Sequence, residues 1–125
     1  MFEQDKEETV VIMRRWRQQP RSVIALFPYV IDGQGRGGGW LVSSYEHIGQ
    51  HGGADLGIIP RLTRAANWDD PDVVALRREL EGAPFGYRLL PRRRMSYRLF
   101  LAACEAACAN DRRLAAGLAA IVDAS

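Results

Sequence analysis

Two histidines and an aspartate recur at a spacing of four residues: His47, His51 and Asp55. On a continuous helix, positions i, i+4 and i+8 share a face, and two imidazoles with a carboxylate suit a divalent metal. Glu46 beside them would supply a base for a metal-bound water. Gly49, Gly52 and Gly53 interrupt that run and disfavour such a helix, so two other readings stay open. His47 or His51 can act as a general acid–base, or can donate to an anion alongside glycine-rich backbone N–H groups. Alternatively, the histidines and Asp55 stitch a tight loop by side-chain-to-backbone hydrogen bonds. The metal candidates are thus His47, His51 and Asp55, and the binding candidates of the segment are Tyr45, His47 and His51. No cofactor is expected apart from a divalent metal, should this segment hold one.

Arginine makes the second set of candidates. Arg14, Arg15 and Arg17 surround Trp16, and Arg92, Arg93 and Arg94 precede Tyr97 and Arg98. Guanidinium groups interleaved with aromatics can grip a phosphate backbone and stack on bases. In a strand, however, neighbours point to opposite faces, so neither run need be one patch, and a solvated basic edge also discourages sheet-to-sheet aggregation. The chain has 17 basic residues and a net charge of +2. Residues 10–98 carry 14 arginines against 8 acids, whereas the lead 1–9 is acidic. A GC-rich coding sequence would give the same preference for arginine over lysine.

Several chemistries are disfavoured. The glycines between Gly33 and Gly39 lack the Lys-Ser/Thr of a phosphate loop and lie between two strands. Ser43 and Ser44 have no nucleophile-elbow context. Cys104 and Cys108 lie four apart in a helical pattern, a poor disulfide geometry, and read as reduced, buried small hydrophobes. No apolar run approaches the roughly 18–20 residues of a membrane span. The acidic start has the wrong charge for a secretory leader, so a cytoplasmic protein is expected.

The elements that must position these residues follow from periodicity. Residues 9–16 and 22–27 read as strands, the second continuing through 29–31 beyond a kink or bulge at Pro28. Residues 40–45 form a third, after a flexible hairpin loop. The His/Gly segment and an irregular stretch to Asn67 come next. Asp70 before Pro71 marks a helix start; Val73, Leu76 and Leu80 give its apolar stripe and Gly82 its stop. Residues 86–91 read as a fourth strand. From Ser96 the pattern is helical, with Tyr97, Phe100, Leu101, Cys104 and Cys108 on one face and a break near Asn110. The expected fold is α+β: a mostly antiparallel four-stranded sheet in the order β-β-β-α-β with a C-terminal helical extension. Residues 1–9 form an acidic lead expected to be disordered, 10–95 the α+β domain, and 96–125 helices packed on that domain or on a second subunit as a homodimer surface.

The segments Ala25-Leu-Phe-Pro28 and Ser44-Tyr-Glu-His-Ile-Gly-Gln-His-Gly-Gly-Ala-Asp55 resemble a group of small uncharacterised bacterial proteins found in plasmids, phages and other mobile elements. The resemblance spans roughly residues 10–90, through Leu76-Arg-Arg-Glu-Leu-Glu81 and Gly86-Tyr87, and leaves out the helices from Ser96. It implies a mobile-element setting and no activity, so no residue role carries over.

Three functions are expected from these residues. The first is a small accessory or inhibitory protein that binds a macromolecule, foremost another protein. The second is nucleic-acid binding through Arg14, Arg15, Trp16, Arg92, Arg93 and Arg94. The third is a metal-dependent enzyme built on His47, His51 and Asp55.

Overall fold

A computed structural model describes residues 8–34, 39–46 and 50–110, with the side chains of Gln50, His51 and Asn110 outside that description. The elements are β1 (Glu8–Trp16), β2 (Val23–Gln34), β3 (Trp40–Glu46), β4 (Gln50–Asp55), α1 (Ile59–Leu62), β5 (Thr63–Ala65), α2 (Pro71–Glu81), β6 (Arg88–Pro91) and α3 (Tyr97–Asn110). The α+β class is as expected. The strand count is not: the sheet has six strands rather than four.

Strands β1 to β4 form an antiparallel meander, and β1 then pairs on its outer edge with two further strands. Its last third takes β5 antiparallel, with Arg14 opposite Ala65 and Trp16 opposite Thr63. Its first half takes β6 in parallel, with Glu8 opposite Arg88 and Val11 opposite Pro91. Residues 8–16 of β1 make this edge about 30 Å long at roughly 3.3 Å per residue. The parallel strand requires a crossover, and α2 supplies it.

Both faces of the sheet are covered. On one, Val11 and Met13 of β1, Val23, Ala25 and Phe27 of β2, and Tyr45 of β3 meet Val73, Leu76 and Leu80 of α2. Those three helix residues are the stripe expected from their spacing, and burying each stabilises by about 1.5–3 kcal/mol. On the other face, Ile12, Ile24, Leu26, Val42 and Ala54 meet Phe100 and Cys104 of α3. Trp16 and Trp40 pack at the margin of this second cluster, and Trp68 at that of the first.

The kink expected at Pro28 is a bulge with consequences for packing. Val23, Ala25 and Phe27 face α2, yet Tyr29 and Ile31, of the same parity, belong to the α3 side. The pairing with β3 shifts register between Phe27 and Ile31, which inverts the alternation. Tyr29 thereby reaches α3, where its hydroxyl accepts the Ser96 N–H at 2.7 Å.

Two helix expectations need correction. Asp70 stands at the N-cap of α2, but its carboxylate makes no capping hydrogen bond; it is drawn to an arginine instead. On α3 the buried face runs through Phe100 and Cys104, with Cys108 half-buried, whereas Tyr97 and Leu101 are exposed. The acidic lead through residue 7, most of the glycine loop (35–38) and the tail 111–125, with its part in an expected dimer surface, lie outside the described residues.

Candidate functional site

The His/Gly run is a β-hairpin. Ser43 stands opposite Gly53, Ser44 opposite Gly52, Tyr45 opposite His51 and Glu46 opposite Gln50. His47 lies outside the described residues. His51 and Asp55 lie on an extended strand rather than on a shared helical face. His51 and Asp55 are four residues apart on β4, hence about 13 Å along an extended chain. Asp55 ends the strand, where its Oδ1 accepts the Gly57 N–H at 2.7 Å and turns the chain toward α1. The loop-stitching reading thus holds for Asp55. The buried Ser44 hydroxyl ties the hairpin further, donating to the Gly52 carbonyl at 2.9 Å.

Neighbours of the hairpin are committed to the fold. The Tyr45 hydroxyl donates to Glu79 Oε1 of α2 at 2.8 Å. The Trp16 indole N–H donates to Glu46 Oε1 at 3.0 Å. Glu46 borders two shallow hollows of about 290 Å³ each, one shared with Arg21, Ser22 and Asp72, the other with Trp16, Gln18 and Leu62.

The first arginine cluster is structural. Arg14 and Arg15 point to opposite faces of β1, as strand alternation requires. Arg14 donates from Nε to Thr63 Oγ1 at 2.9 Å and from Nη2 to the Thr63 carbonyl at 2.9 Å. Arg17 reaches the same carbonyl at 3.1 Å. Both cations sit at the C-terminal end of α1, where the carbonyls lack intrahelical donors. Burial and then the charge of Arg17 lower the Arg14 pKa. Arg15 lies nearly buried against the N-terminus of α2. It makes a two-pronged ion pair with Asp72 and reaches Asp70 Oδ2 at 3.0 Å. The hydrogen bond to Asp72 is the main cause that raises the Arg15 pKa, and its counterpart lowers that of Asp72. Trp16, Arg14 and Arg15 are therefore occupied within the protein.

The second cluster is left to solvent. Arg92, Arg93 and Arg94 follow β6 and are all exposed, as are Arg88 on β6 and Arg98 in the first turn of α3. Their internal bonds are peripheral: Arg92 Nη1 to its neighbour Pro91's carbonyl at 2.8 Å, and Arg93 Nη2 to Asn67 Oδ1 at 3.5 Å. Arg61 on α1 and Arg64 on β5 are also exposed on this side of β1. A shallow groove of about 170 Å³ opens between the ends of β5 and β6, floored by Val11 and Met13 and walled by Trp68, Arg92 and Arg93. The Arg77 guanidinium lies 4.2 Å from the centre of the Trp68 ring.

Folding leaves the described part of the surface more basic than its composition suggests. Among the described residues, Glu46, Asp55, Asp70, Asp72 and Glu79 are half-buried with internal hydrogen bonds. That leaves exposed acids at 8, 32, 69, 81 and 105 against exposed arginines at 17, 21, 61, 64, 78, 88, 92, 93, 94 and 98. That Trp68 borders Arg92 and Arg93 was not legible in the sequence, because the parallel pairing of β6 with β1 is what brings them together. Compared with protein-family models, curated proteins and solved structures, the chain matches none.

Proposed function

We propose that this is a small accessory protein that works by binding an acidic macromolecule along the outer edge of β1. What carries the reading is the contrast between the two arginine clusters. Arg14 and Arg15 are used up in positioning α1, β5 and α2, and Arg17 is tied to the Thr63 carbonyl, while Arg92, Arg93, Arg94 and Arg98 remain in water where β6 ends and α3 begins. A guanidinium group offers a planar, two-pronged donor set that matches phosphate and carboxylate oxygens. Several such groups near one another raise the local potential and concentrate an anionic partner.

Retention on a heparin column tests this reading with a generic polyanion. The triple variant Arg92→Ala, Arg93→Ala, Arg94→Ala should elute at clearly lower salt than the unaltered protein. Arg78→Ala, on the exposed side of α2, should elute near the unaltered position. Equal elution of all three proteins would remove the proposed surface.

A further inference from the structure

Resting on that reading, we infer that the acidic partner is a single-stranded nucleic acid, whose bases stack on Tyr97 while its phosphates meet Arg92, Arg93, Arg94 and Arg98. Tyr97 is 68% exposed, the most exposed large apolar side chain among the described residues. The other three tyrosines are built into the fold. Tyr29 accepts from Ser96, Tyr45 donates to Glu79, and Tyr87 stacks on Phe85 with ring centres 5.7 Å apart. Tyr97 stands in the first turn of α3 with Arg94 three residues before it and Arg98 directly after. An exposed aromatic ring flanked in sequence by exposed arginines fits a partner that brings both a flat apolar ring and a negative charge. Nucleotides repeat those two features along a chain.

The groove beside Trp68 supports the same occupant. Its accessible apolar lining comes from Ala66, Trp68 and Pro91 above the buried Val11 and Met13, and its mouth carries Arg92 and Arg93. A splayed base can enter such a groove while its phosphate stays at the arginines. A duplex keeps its ring faces stacked inside, so it offers only phosphates here. An acidic protein segment would satisfy the arginines but gives no reason for the exposed ring.

The test is fluorescence anisotropy of a labelled oligodeoxythymidine and of a duplex of equal length, at low salt, with the full chain. The single strand should bind more tightly. Tyr97→Ala should weaken its binding by about tenfold, the usual loss for one stacked base, and leave the dependence on salt unchanged. Tyr97→Phe should retain the affinity. Because Tyr97 is exposed, both variants should keep the thermal midpoint of the parent, which separates lost stacking from lost folding. Equal affinity for both forms, with no effect of Tyr97→Ala, overturns the inference while leaving the arginine surface standing. Arginine-dependent heparin retention without binding of either oligonucleotide also overturns it, and assigns the surface to an acidic protein.

Discussion

Arg15 and Asp72, separated by 57 residues, close a two-pronged ion pair that fastens the first turn of α2 to the end of β1. Asp72 is the second residue of the helix, and Asp70 just outside it adds a bond to the same guanidinium. The pair sets the crossover that returns the chain to β6, and so places the arginines that follow it. Arg15→Leu removes one partner and leaves two carboxylates at a helix start. A loss of about 2–3 kcal/mol is expected from charged hydrogen bonds of this kind, reduced because both aspartates are about one-third exposed. Urea unfolding at neutral pH measures it; a change below 0.5 kcal/mol would deny the pair its role.

The same pair gives a pH dependence of defined sign. Arg15 holds the Asp72 carboxyl below its ordinary range. Its contribution is present above the unfolded value near pH 4 and is lost as pH falls through the lower folded value. In Asp72→Asn that part of the acid sensitivity should vanish. Its stability at pH 7 should be lower, and its decline below about pH 4 shallower than the parent's. Parallel curves displaced by a constant amount would contradict the assignment.

Tyr45 and Glu79 join the hairpin to α2 from the α2 side of the sheet. Tyr45→Phe keeps the ring against Phe85, at 5.5 Å between centroids, and deletes only the hydroxyl. A cost of about 1–2 kcal/mol follows for a hydrogen bond to a charged acceptor. Thermal unfolding should show a midpoint lowered by several degrees without change of fold.

The thiols should react unequally. Burial, and then the neighbouring Cys108, raises the Cys104 pKa, and the side chain packs against the α3 face of the sheet. Cys108 is half-buried. Since the thiolate is the reactive form, iodoacetamide in native buffer should label Cys108 first, with Cys104 following only on unfolding. Mass spectrometry of timed digests reads the order directly.

Much of the fold was legible because local signals agreed with tertiary packing. Strands β1 to β3 announced themselves by β-branched residues, and α2 by Pro71, its stripe and Gly82. Strand β4 did not, since Gln-His-Gly-Gly-Ala-Asp has little intrinsic preference for strand, and pairing with β3 decides its state. At their four-residue spacing His51 and Asp55 would share a face on a helix, which the glycines already disfavoured, and β4 is extended there. Strand β5 is three residues long, too short for any period to show. Of the site, the two arginine runs were visible, but which one is consumed internally depended on partners 46–57 residues away. Tyr97 fitted both the arginine run and a helical stripe with Phe100 and Cys104, and a stripe at helical spacing does not say how the helix is rotated against its sheet.

The most direct measurement is the slope of log binding constant against log salt concentration for a nucleic-acid strand, with and without Arg92, Arg93 and Arg94. Each lost phosphate contact removes about 0.7–0.9 from the slope, so alanine at all three positions should reduce it by about 2–3. An unchanged slope would mean that these arginines do not meet the partner, and the account of this edge as the binding surface would fail.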